Sequence, residues 1–122
     1  MINWIAVIAG VAATFALGFG VYGRFGFQRR WAEGTRISPD PPAQLPVGAM
    51  GMQILSLVIL AIVIAITATT DSLILAILAI FAVATNAATI GAWAQKSGFA
   101  IAVDTGYVLG SGTVMILAQG IF

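Results

Sequence analysis

The chain contains no histidine and no cysteine. The first absence removes the commonest metal and haem ligand and the usual general base at neutral pH. The second removes disulfides, thiolate catalysis and cysteine-ligated metal sites. Charge is scarce too. Five basic and four acidic residues in 122 amount to 7%, against about 25% in soluble domains. Nine formal charges cannot build a water-facing surface. A net charge of +1 is too small to point to nucleic acid as a partner. With 61% of residues hydrophobic, lipid must solvate most of the outside, so the bilayer is the first partner implied.

What the chain has instead is four long apolar runs, roughly 3–23, 48–69, 72–93 and 98–121. Each holds about 21–24 residues, enough to cross a hydrocarbon core of about 30 Å. The expected fold is all-α: a four-helix transmembrane bundle, one domain over 1–122, with an interfacial and then extended first cytoplasmic loop over about 24–47. No positive segment precedes the first apolar run, so it reads as an uncleaved span rather than a signal peptide.

The long first connection opens with Phe25-Gly26-Phe27-Gln28-Arg29-Arg30-Trp31. Interleaved rings and cations suit the membrane interface, with Arg29 and Arg30 toward phosphates. Trp4, Trp31 and Trp93 all fall near span boundaries and read as interfacial anchors. Ser38-Pro39-Asp40-Pro41-Pro42 then breaks any helix, because proline lacks the amide donor and restricts its predecessor. The second connection is Thr70-Asp71-Ser72, where Asp71 is placed to cap the third span. The third, from Ala94 to Ser97, is equally short. Short links make the last three spans antiparallel neighbours.

The basic residues set the orientation. Arg24, Arg29, Arg30 and Arg36 lie in the first connection and Lys96 in the third. Those two connections share a side, which the positive-inside rule makes cytoplasmic. Both termini are then expected outside, in the periplasm if the membrane is a bacterial inner membrane.

Asp104 is the single acid within a span. An ionised side chain at a helix centre costs about 2.5–3.5 kcal/mol on insertion scales. It is expected to be protonated, bonded to another helix, or beside a wet cavity. At 1.5 Å per residue, Asp104, Asn86 and Gln53 fall roughly 8–10 Å in from the cytoplasmic ends of three different spans. They are expected to form one hydrogen-bonded layer, because each facing lipid alone would be unsatisfied. Tyr107 and Ser111 follow Asp104 at one-turn intervals, and Tyr22 lies near that level on the first span. Such a layer is either a clasp between helices or a ligand or proton site.

Small residues suggest close helix contact. Gly106 and Gly110 form a small-xxx-small pattern on the last span, and Gly18 lies on the first. Packing within the bundle is the plainer reading and association with another chain the sharper one.

Asn3-Trp4, Tyr22-Gly23, Phe25-Gly26, Trp31 and Asp104-x-Gly106-Tyr107 together resemble a bacterial family of small four-span membrane proteins of unknown function. The resemblance implies four helices and an integral membrane location. It implies no activity, cofactor or catalytic residue.

The residues imply no enzyme, no metal and no cofactor, since no nucleophile–base pair or metal motif is present. The leading expectation is a membrane protein acting through helix–helix contacts, as a homo-oligomer or as an accessory subunit with other membrane proteins. The alternative is a proton-coupled small-molecule transporter or channel subunit using Asp104.

Overall fold

A computed structural model describes residues 1–23, 26–38 and 47–122. Arg24, Phe25 and the helix-breaking Pro39, Pro41 and Pro42 lie outside the described residues. Five helices are present among the rest: α1 (Trp4–Tyr22), α2 (Gln28–Thr35), α3 (Val47–Thr69), α4 (Leu73–Trp93) and α5 (Gly98–Ile121). All but α2 are long and apolar enough to cross a membrane. Helix is what such runs must adopt, because hydrocarbon offers no partner to a free backbone amide or carbonyl.

Helix ends are closed by local chemistry. Asn3 caps α1, its Oδ1 accepting from the amide of Ala6 at 3.1 Å, and the Ser97 hydroxyl caps α5 by accepting from Ala100 at 3.0 Å. At the far ends of α2, α3 and α4, Arg36, Asp71 and Gln95 take left-handed backbone with φ of 67°, 51° and 59°. The amides of Ile37, Ser72 and Lys96 then reach back to the carbonyls of Ala32, Thr67 and Gly91. This is the Schellman closure, usually built on glycine. Asp71 therefore ends α3 and does not cap α4. The cap position of α4 is Ser72, which makes no side-chain capping bond.

The four long helices form a ring in the order α1, α5, α4, α3, each packed on its neighbours, with α3 and α5 also touching across the centre. Contacts between α1 and α5 run in opposite directions: Gly10 lies against Met115, Leu17 against Gly110, and Gly18 against Tyr107. Those between α4 and α5 do the same, with Ile80 against Gly112 and Gly91 against Ile101. The closest approach is at Gly112, where a Cβ would sit 2.5 Å from the Ile80 side chain.

This placement corrects the expected glycine contacts. A Cβ on Gly106 would meet nothing within 4 Å, so Gly106 faces outward rather than into a packed seam. Gly110 meets only Leu17, at 3.4 Å. Gly18 is the most tightly packed of the three, because a Cβ there would come within 3.2 Å of the Tyr107 hydroxyl.

The first connection contributes α2, which lies along the start of α5. Ala32 is buried, and the Gly34 carbonyl accepts from the Ser97 amide at 2.9 Å. A side chain at Gly34 would collide with Ser97 and Ala100, so its absence lets the two backbones touch. Arg29 and Arg30 are exposed, and the Arg30 guanidinium rests 4.1 Å from the centre of the Phe99 ring. Trp4 and Trp93 are likewise exposed, near opposite ends of the bundle.

Candidate functional site

Three donors converge on Asp104, and they come from three different parts of the chain. The Tyr22 hydroxyl at the end of α1 donates to Oδ1 at 2.6 Å. The Trp31 indole N–H of α2 donates to the same oxygen at 2.8 Å. The Lys96 ammonium, in the turn before α5, donates to Oδ2 at 2.9 Å and completes an ion pair. A carboxylate has about four acceptor positions, and three of them are used here by charge-assisted bonds. The side chains of Lys96 and Asp104 keep only 21% and 18% of their exposure.

Local structure explains each donor. Asp104 stands six residues into α5, about 9 Å from its start. The left-handed turn at Gln95 reverses the chain and aims Lys96 back along the bundle rather than out toward headgroups. Contact of Gly34 with Ser97 seats α2 so that Trp31 reaches down. Rings pack around the same point: Tyr22 lies edge-on to Trp31, with centroids 5.0 Å apart, and to Tyr107 at 5.4 Å. The Lys96 ammonium is 5.7 Å from the centre of the Trp31 ring.

A second tier lies one turn deeper. The buried Tyr107 hydroxyl donates to the Thr14 carbonyl at 2.9 Å and receives a long bond from Gln53 Nε2 at 3.4 Å. Gln53 thus ties α3 to the α1–α5 pair. Ser111 closes on its own helix, donating to the Tyr107 carbonyl at 2.8 Å.

The expected layer is therefore recomposed. Asp104, Tyr22, Tyr107 and Gln53 gather as one network, but Asn86 does not join them. It lies on the exposed side of α4, with no hydrogen-bond partner among the described residues. Trp31 is not a free interfacial anchor, since its polar edge is committed to Asp104. Asp104 also has a basic partner, because Lys96 lies just outside the apolar run and bends back into it. A signal for Lys96 was present in the chain: its lone lysine stands eight residues before its lone in-span acid. Trp31 was marked only by standing with Tyr22, Asp104 and Tyr107 among the residues that carry the family resemblance, and its reach to Asp104 depends on how α2 docks.

Two cavities flank this network. One of about 610 Å³ is walled by Phe15, Phe19, Tyr22, Trp31, Gln53 and Asp104. Another of about 310 Å³ shares Tyr22, Gln53, Asp104 and Tyr107 and reaches Lys96 and Ser111. Among the described residues, no three acidic, histidine or cysteine side chains cluster to hold a metal ion.

Four apolar crossings pinned at one end by a partly buried ion pair define a multi-pass membrane protein of the four-helix type. The family model described as Protein of unknown function (DUF1761) matches residues 5–120, and the chain belongs to that family. No curated protein and no solved structure matches it.

Proposed function

We propose that this protein works by binding another membrane protein surface within the bilayer, and that it catalyses no reaction. The observation that carries this reading is Asn86. An amide with no partner among the described residues faces outward about three residues from the middle of a 21-residue span. Hydrocarbon leaves both ends of that amide unsatisfied, whereas a protein neighbour can satisfy them. Asp104 supports the reading from the other side. Its carboxylate is already engaged by three donors that fasten the bundle.

In this reading the protein sits in a bacterial cytoplasmic membrane with both termini periplasmic. The support is the gathering of Arg29, Arg30, Arg36 and Lys96 at one end. A reporter enzyme fused to the C-terminus tests the topology, with cytoplasmic activity as the contrary result. Purification in mild detergent tests the contact reading. A particle of more than one chain is expected, and a monomer at every concentration overturns it.

The larger cavity favours a second reading, a transporter or channel subunit that admits a small amphiphile beside Asp104. Trp31 lines that cavity, so its fluorescence reports occupancy. Titration with an alkylammonium and with the matching alkyl alcohol tests it. Saturable quenching by the cation alone supports it, and no saturable change with either opposes it.

A further inference from the structure

The outer face of α4 is a single stripe. Ala76, Ile80, Ala84 and Gly91 are the buried positions of the helix. Leu75, Leu78, Ala82, Asn86, Thr89 and Trp93 recur at helical spacing on the opposite side, and all six are exposed. Hydroxyls on this side are satisfied by their own backbone. Thr85 donates to the Phe81 carbonyl at 2.8 Å and Thr89 to the Thr85 carbonyl at 2.8 Å. Asn86 has no such local partner.

We propose that Asn86 marks the seam of a two-fold homodimer in which α4 packs against α4 of a second copy. This rests on the contact reading above and names its partner. Membrane insertion gives both copies the same orientation, so their symmetry axis runs along the bilayer normal. That axis brings residue 86 of one copy to residue 86 of the other at one depth. An asparagine amide offers two donors and one acceptor, so it complements itself across such an axis. An unlike partner would need its own polar group at that level, and a second copy has one by symmetry. Ala82 and Thr89, one turn away on each side, are short enough to let the two helices approach. A lone asparagine at a helix seam fixes register and partner number in the same way in coiled coils.

The chain has no cysteine, so one substitution supplies a unique thiol. Ala82→Cys keeps Asn86 and lies on the stripe. Leu117→Cys lies on the exposed side of α5 and serves as the contrast. Oxidation of the full-length protein in native membranes is expected to give a dimer-sized product from the first and little from the second. Asn86→Leu makes the span more apolar and leaves insertion intact. It is expected to weaken dimerisation about 3- to 30-fold, read from the monomer–dimer equilibrium in detergent. Asn86→Gln, which keeps the amide, is expected to retain most of it. Equal cross-linking at both positions, or a dimer indifferent to Asn86→Leu, overturns the seam while the contact reading stands. A different protein cross-linked to the thiol at 82 does the same. A chain that stays monomeric and uncross-linked in every case overturns both.

Discussion

Asp104 and Asn86 lie at similar depth in neighbouring helices, yet the bundle treats them in opposite ways. Around Asp104, α1, α2 and the turn before α5 each send a donor inward, and three of four acceptor positions are filled. Around Asn86, no described residue sends a donor or an acceptor. The contrast teaches that depth and direction are separate properties of a membrane residue. A polar group turned inward holds its own chain together. One turned outward at the same level has to find its partner elsewhere. The polar fastening of the bundle thus lies chiefly on the side of α1, α2 and α5, whereas the outer faces of α3 and α4 form an open, aliphatic side.

Removing the fastening tests this contrast most severely. Asp104→Leu leaves the Lys96 ammonium unpaired within the fold and two further donors without an acceptor. Breaking such a pair costs about 3–5 kcal/mol, which should appear as a large fall in unfolding temperature in detergent. Asp104→Asn is expected to fall between this variant and the native chain, because the amide still accepts from Tyr22 and Trp31 but repels Lys96. An Asp104→Leu protein as stable as the native one would remove Asp104 from the centre of the fold.

Next in size is Gly112→Ala. The added methyl would meet three carbons of Ile80 at 2.5–2.6 Å, and overpacking of this kind costs about 1–3 kcal/mol. Trp31→Phe keeps an aromatic ring, though a smaller one, and deletes one charge-assisted bond, at roughly 1.5–3 kcal/mol. It also reports on α2, since loss of this bond alone should loosen the helix. Faster amide exchange across 28–35, with α1 and α5 unchanged, is the expected signature.

These variants also show where the sequence was informative and where it was not. The four long helices were legible to within a residue or two at most ends, because lipid demands an unbroken apolar run wherever the chain crosses. Asp104 was conspicuous for the same reason. What one dimension hides is the direction each residue faces. The buried side of α4 is Ala76, Ile80, Ala84 and Gly91, and its outer side is equally aliphatic, so no hydrophobic pattern distinguishes them. Counting residues placed Asn86 at the level of Asp104 but could not show that it points away. The glycines carry the same lesson. Gly106-x-x-x-Gly110 has the familiar spacing, but the tight seam falls on Gly112, where a bulky Ile80 happens to face it. Short α2, with its glycine and three charges, owes its position to Trp31, Ala32 and Gly34 meeting α5, and only the folded chain brings these together.

Substitutions with little effect on stability discriminate best between inward and outward positions. Gly106→Ala should be neutral or stabilising by up to about 1 kcal/mol, since alanine is the better helix former and nothing stands within 4 Å of the new methyl. Set beside Gly112→Ala, it separates an open glycine from a packed one on a single helix. Asn86→Leu, measured at a dilution where only monomer is present, is expected to change unfolding by less than about 0.5 kcal/mol, as for a surface position. Had Asn86 belonged to the network around Asp104, the same change would remove an interhelical bond worth up to roughly 2 kcal/mol. A monomer indifferent to residue 86 but sensitive to residue 104 is what a fastened side and an open side require. Equal sensitivity would mean that the outward side chain turns back into its own bundle.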